Sequence, residues 1–159
     1  MSYLAVIREF HYKSIEPLLG AARGCSEREV DELEKKLGFT LPAAYREYLL
    51  WMGKDYDGIF QGSDCFIDNV MDNNSWMPEL LAENRITLDL PVNYLTFFMH
   101  QGYVAAWFVI PAEADPQCWY FGEGDTEAPV LRGSFSSVIF TELQSLLPVL
   151  RQALEASGK

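Results

Sequence analysis

The stretch from Ser26 to Gly53 reads SEREVDELEKKLGFTLPAAYREYLLWMG and predicts two short helices joined by a tight turn. Ser26 and Glu29 have the spacing of a capping box, in which each side chain accepts the backbone N–H of the other residue. Gly38 suits the left-handed residue that ends a helix, and Pro42 suits the first turn of the next one. We therefore expect a helical hairpin that ends at Gly53.

The hairpin also carries a family resemblance. A glutamate-rich amphipathic helix, the motif L-G-x-x-L-P and a tyrosine-bearing helix that ends in glycine resemble the SUKH superfamily. That superfamily includes a yeast cell-wall assembly regulator and many bacterial immunity proteins. The matching residues are Glu34, Leu37, Gly38, Leu41, Pro42, Tyr45, Leu49 and Gly53, and Met52 stands where the family usually has asparagine. The resemblance implies a SUKH-like domain that binds another protein, as an immunity protein binds a co-produced toxin.

Length and composition indicate a single domain over residues 1–159. The chain is 49% hydrophobic, which is enough to form a core without disulfide bonds. No segment has the length of a membrane span, and the N-terminal segment lacks the apolar core of a signal peptide. Cys25, Cys65 and Cys118 are odd in number and widely spaced, which favours buried free thiols over disulfides or a zinc site. We expect a cytoplasmic protein.

Along the chain, helices are predicted before and after a central group of strands, which is typical of an α+β domain. We expect a mainly antiparallel or mixed β-sheet with helices packed on one face. The run Tyr103–Ile110 is apolar at both odd- and even-numbered positions, whose side chains point to opposite faces of a sheet. This strand should therefore be covered on both faces. The predicted helices are Ser2–Leu19, Trp76–Asn84 and Ser134–Ala156, and the predicted strands are Cys65–Met71, Tyr94–His100, Tyr103–Ile110, Cys118–Phe121 and Pro129–Leu131, with a Gln101-Gly102 turn.

The net charge of −11 is concentrated in the middle of the chain. The segment 54–131 has thirteen acidic and two basic residues, whereas the remainder is balanced. Such a surface repels nucleic acid and anionic lipid, and it attracts cationic proteins. We therefore expect a protein partner, such as a basic toxin domain, and neither nucleic acid nor a membrane. The alternative is that the acidic residues serve only to keep the protein in solution.

The turn-rich segment after Gly53 holds the candidate partner-binding residues. Aromatic side chains among acids are a common composition for a protein-binding surface. Folding of these aromatic residues back onto the domain is the alternative. The candidate residues are Asp55, Tyr56, Asp57, Phe60, Asp64, Asp68, Asp72 and Trp76.

Catalytic motifs are missing from the sequence, and no cofactor is predicted. No G-x-S-x-G, Walker loop, H-E-x-x-H or Rossmann fingerprint occurs. A Cys118–His100 nucleophile pair across adjacent strands is conceivable, but it lacks an orienting group. Asp64, Asp68 and Asp72 could bind Ca²⁺ or Mg²⁺ if they shared a helical face, although a loop or strand is expected there.

Three functions remain open at this point. The first is a non-enzymatic immunity protein that neutralises a cognate toxin, for example a nuclease, through an acidic surface. The second is a regulatory or scaffold protein with an endogenous partner. The third is a metal-dependent enzyme built on the three aspartates. We expect a monomer or a weak homodimer.

Overall fold

The computed structural model describes residues 1–158, and in them helices precede and follow a four-stranded antiparallel sheet. The elements are α1 (Ala5–Ser14), α2 (Glu16–Leu19), α3 (Glu27–Leu37), α4 (Ala43–Met52), α5 (Val70–Glu83), β1 (Tyr94–His100), β2 (Val104–Val109), β3 (Gln117–Gly122), β4 (Val130–Ser134) and α6 (Phe135–Ala156). The strands lie in the order β1-β2-β3-β4, so each neighbour along the chain is also a neighbour in the sheet. The α+β class is confirmed.

The predicted helical hairpin is confirmed as α3 and α4. Ser26 and Glu29 form both bonds of the capping box, and Gly38 ends α3 with a φ of 79°. Glu34 also helps to form the turn, because its carboxylate accepts the backbone N–H of Leu41 at 2.8 Å. Pro42 lies immediately before α4. The motif L-G-x-x-L-P is therefore a helix end, a turn and a helix start held together by a side chain of α3.

The predicted strand Cys65–Met71 is wrong, because this segment forms a 3₁₀ turn at Ile67–Asn69 that leads directly into α5. Helix α5 begins well before the predicted start at Trp76 and runs through Pro78. A proline in a helix leaves the carbonyl four residues earlier without its usual N–H donor. Here that carbonyl belongs to Asn74, and it accepts the Tyr94 hydroxyl at 2.7 Å. A residue of β1 thus satisfies the bond that the proline removes.

The sheet is covered on both faces, as predicted for β2. On one face, Tyr45 of α4 and Phe135 of α6 pack against Phe97 and Phe108, with Tyr45 and Phe108 ring centroids 5.5 Å apart. Helices α1 and α3 extend this core. On the other face, Met77, Leu80 and Leu81 of α5 pack against Met99, Ala105, Trp107 and Phe121. Helices α1, α3, α4 and α6 lie on one face of the sheet, as expected, whereas α5 lies on the other face.

The two edges of the sheet differ. Along β1, the backbone of Asp64 exchanges hydrogen bonds of 2.8 and 3.0 Å with Met99. Further along, the Asn74 amide donates to the Tyr94 carbonyl at 3.0 Å and accepts the Thr96 N–H at 2.6 Å. These contacts close the β1 edge, as proteins commonly do to prevent strand-to-strand association. Strand β4 forms the opposite edge.

Candidate protein-binding surface

Two of the predicted partner-binding residues are buried. Phe60 is 6% exposed and belongs to the main core. Asp55 is 8% exposed and accepts the backbone N–H of Arg23 at 3.4 Å. Burial raises the pKa of Asp55 and lowers that of the neighbouring His11. The burial of Phe60 agrees with the alternative that these aromatic residues fold back onto the domain, whereas the sequence did not indicate the burial of Asp55. Neither side chain is available to a partner in this structure.

Asp57 and Asp64 are exposed but lie in separate places. Asp57 forms an ion pair with the Arg23 guanidinium at 2.9 Å, and both side chains are largely exposed. Asp64 is held by its backbone at the edge of β1, and its carbonyl accepts the Asn73 amide at 2.8 Å. Asp57 and Asp64 therefore do not form one cluster of carboxylates.

The other four predicted residues begin where the loop meets the 3₁₀ turn and continue along α5. The Tyr56 hydroxyl donates to the Asp68 carboxylate at 2.6 Å, and the Tyr56 ring packs edge-on against Phe66 with centroids 4.9 Å apart. Desolvation, aided by the bond to Asp68, raises the pKa of Tyr56 to about 12. The hydroxyl therefore stays protonated at neutral pH and continues to donate to Asp68.

Asp68, Asp72 and Trp76 follow one another at four-residue intervals through the 3₁₀ turn and α5. This spacing places them along one side of the helix. Trp76 is 59% exposed, and Met71 beside this stripe is 45% exposed. We call the set Tyr56, Asp68, Met71, Asp72 and Trp76 the acidic face. It combines carboxylates with three partly or largely exposed apolar side chains.

A groove extends the acidic face towards α3, and sequence reasoning missed its far wall. Glu29, Glu32 and Lys36 of α3 face Asp68 and Met71 across a groove of about 270 Å³. Glu29 pairs with Lys54, and this bond together with the cap lowers the pKa of Glu29 to about 2. These glutamates belong to the charge-balanced part of the chain, so no signal in the sequence associates them with the acidic segment.

The alternative catalytic groups are not assembled. Cys118 on β3 is fully buried, burial raises its pKa, and β2 separates β3 from the strand that carries His100. His100 instead shares a hydrogen bond of 3.0 Å with the Ser63 hydroxyl. The three cysteines are free and buried, as predicted. Among residues 1–158, no group of three or more His, Cys, Asp or Glu side chains is arranged to hold a metal ion.

Comparison with known families extends over most of the domain. The sequence profile of the SMI1 / KNR4 family (SUKH-1) matches residues 24–140, from just before α3 into α6. No curated protein matches the chain. None of the helices in the described part of the chain combines the length and apolarity needed to cross a membrane. The family match covers well over half of the sequence and includes the hairpin, the loop and the whole sheet. The chain therefore belongs to the SMI1 / KNR4 family (SUKH-1).

Proposed function

We propose that this protein is a non-enzymatic immunity protein that binds and neutralises a cognate toxin in the cytoplasm. Membership of the SUKH-1 family supports a protein-binding role. The observation that carries the proposal is the acidic face, where the exposed Trp76 follows Asp68 and Asp72 along the chain and α5 itself contains no basic residue. The partner that fits this chemistry is a basic domain, such as a nuclease with a cationic cleft.

The proposed mechanism begins with electrostatic attraction. A surface of one charge sign can raise association rates by about 10- to 1000-fold, and this gain falls as salt increases. Asp68 and Asp72 would guide the cationic cleft onto the helix, where they would occupy positions that phosphates of a nucleic acid otherwise take. Charge mainly sets the rate of encounter and the orientation, so a second kind of contact must hold the complex.

Trp76 is the proposed anchor of the complex. Tryptophan is common among the few residues that contribute most binding energy, and such residues are usually surrounded by others that exclude water. Met71 and Tyr56 flank the stripe and could provide that surround. The Tyr56–Asp68 bond holds the loop against the 3₁₀ turn that precedes α5, so little conformational entropy remains to be lost there on binding.

A regulatory or scaffold protein with an endogenous partner is the second candidate function. The same surface would serve it, since the chemistry of contact is the same. The two functions differ in genomic context, because an immunity gene should directly follow a large toxin gene. The product of that neighbouring gene is therefore the partner to test first.

The test measures association of the protein with the product of the gene directly upstream of its own, where the proposal expects the toxin gene. The double variant Asp68→Lys, Asp72→Lys should slow association about tenfold at low salt and less at high salt. Trp76→Ala should speed dissociation by about 30-fold, which corresponds to about 2 kcal/mol. The matched control, Glu113→Lys with Glu127→Lys, makes the same charge change at exposed positions outside the acidic face.

Equal slowing by both double variants would mean that the net charge, and not this face, attracts the partner. Unchanged kinetics in the Asp68, Asp72 and Trp76 variants would reject the acidic face as the binding surface. Circular dichroism and thermal melting of each variant would verify that it is folded, which we expect because all of these side chains are exposed.

A further inference from the structure

A pocket with two opposite charges opens between the outer half of the sheet and α6. It has a volume of about 220 Å³, and its walls come from β2, β3, β4 and α6. A narrower, mainly apolar extension of about 40 Å³ continues inward to Phe97 and Phe98 and shares the walls Ala106, Tyr120, Val138 and Glu142. A bulge in β1 places both phenylalanines towards this side of the sheet, where strict alternation would place only one. The pocket shares no residue with the acidic face.

The positive charge at this pocket is the guanidinium of Arg132, which neighbouring groups position. Its Cζ atom lies 4.4 Å from the centre of the Tyr120 ring, and the face of the ring attracts the positive charge of the guanidinium. The Asp125 carboxylate lies 3.7 Å from Nη2 and accepts the Tyr120 hydroxyl at 2.9 Å. Asp125 thus links the guanidinium and the ring from outside the pocket. The five N–H groups of a guanidinium leave donors for a further acceptor.

The negative charge comes from Glu142 on α6. Within residues 1–158, its carboxylate has no hydrogen-bond or ion-pair partner, and no ion pair within 4.0 Å joins it to Arg132. Glu142 is exposed at the rim of the pocket, where partial desolvation raises its pKa and Arg132 acts in the opposite direction. Two opposite charges therefore border one pocket without neutralising each other directly. A ligand that carries both signs would complement both of these groups.

We propose that this pocket binds a free α-amino acid with a large apolar side chain. The α-carboxylate would accept hydrogen bonds from Arg132, the α-ammonium group would donate to Glu142, and the side chain would enter the apolar extension. Pockets for drug-sized ligands have volumes of about 300–1000 Å³, so this smaller pocket suits a molecule of amino-acid size. A peptide does not fit this pattern, since each of its ends carries only one of the two charges.

The experiment is a calorimetric titration of the whole protein with L-phenylalanine. For so few ligand atoms, we expect a dissociation constant in about the millimolar range. Phenethylamine lacks the carboxylate, 3-phenylpropanoate lacks the ammonium group, and L-serine lacks the apolar side chain, so each should bind at least about tenfold more weakly. Glu142→Gln and Arg132→Gln should each weaken L-phenylalanine about tenfold. Glu155→Gln, an exposed change on the same helix, is the matched control and should have no effect.

The proposal is overturned if L-phenylalanine shows no binding, or if phenethylamine or 3-phenylpropanoate binds as tightly as the amino acid. It is also overturned if Glu142→Gln and Arg132→Gln bind L-phenylalanine as the unaltered protein does. Chemical-shift changes in a ¹H–¹⁵N spectrum give an independent measurement, since they should be centred on Thr141, Glu142 and Arg132. Neither experiment uses the toxin, so its outcome is separate from that of the proposed function.

Discussion

Replacing Tyr45 with phenylalanine should stabilise this protein, which is unusual for a change at the centre of a core. Tyr45 is fully buried, and its hydroxyl is the one buried side-chain polar atom in residues 1–158 without a hydrogen-bond partner. The ring is surrounded by other rings, with Phe135 and Phe108 at centroid distances of 5.4 and 5.5 Å. Burial raises the pKa of this phenol, so the group is a neutral hydroxyl at any moderate pH.

The magnitude follows from what the hydroxyl loses on folding. In the unfolded chain it bonds to water, and in the core it has no such bond, at a cost of about 1–3 kcal/mol. Tyr45→Phe removes that cost and keeps the ring contacts, so the free energy of unfolding should rise by about 1 kcal/mol or more. For a domain of this length, each kcal/mol corresponds to an increase of about 2–4 °C in melting temperature.

Tyr48 provides the matched control on the same helix. It is also buried, and its ring stacks on Tyr45 with centroids 6.0 Å apart. Its hydroxyl, however, donates to the Cys65 carbonyl at 3.0 Å. Tyr48→Phe should therefore lower the free energy of unfolding by about 1 kcal/mol or more, because it leaves that carbonyl unpaired. Urea unfolding followed by circular dichroism, with equal m-values for the three proteins, measures both changes.

The opposite signs of the two variants are the decisive result. If Tyr45→Phe destabilises the protein as much as Tyr48→Phe does, the Tyr45 hydroxyl has a partner, such as a buried water, and the reasoning fails. If both variants are neutral, the free energy attributed to buried hydroxyls does not apply to this core.

Two further predictions concern the β1 edge and the α3 cap. Asn74→Ala removes both side-chain bonds to the edge of β1 and should lower the free energy of unfolding by about 1–3 kcal/mol, whereas Ser75→Ala should change it by less than about 0.5 kcal/mol in the same urea assay. Because Lys54 and the cap hold the pKa of Glu29 at about 2, below its ordinary 4.5, its stabilising effect should be present above pH 4.5 and decline as the pH falls towards 2. The gap in melting temperature between the unaltered protein and Glu29→Gln should therefore narrow over that range, and a constant gap would contradict this origin.

Several elements could be predicted because their signals are local. The capping box and Gly38 mark both ends of α3 within a dozen residues. The Gln101-Gly102 signal also lies at the turn between β1 and β2, although the connection has three residues because β2 begins at Val104 and not at Tyr103. The start of α5 could not be predicted in this way, because a proline normally lies in the first turn of a helix and Pro78 lies in the middle of this one. The helix tolerates Pro78 because Tyr94, a distant residue in the chain, donates to the carbonyl that the proline leaves without a partner.

The candidate binding surface could likewise be predicted only in part from the sequence. Composition identified the acidic segment, but it could not separate exposed residues from buried ones, so Asp55 and Phe60 were placed with Trp76. Burial depends on what packs above a side chain, and in this loop the packing comes from residues of other elements. The carboxylates of α3 that border the acidic face were missed for the same reason.

The sequence by itself determined the α+β class, the family, the helical hairpin and the central location of the negative charge. Each of these depends on residue types at short spacing or on composition, which need no knowledge of distant contacts. The tertiary structure decided which acids share a face with Trp76 and how Arg132 and Glu142 come to border one pocket. Those arrangements join residues from separate elements, and they exist only once the hydrophobic cores have positioned the helices against the two faces of the sheet.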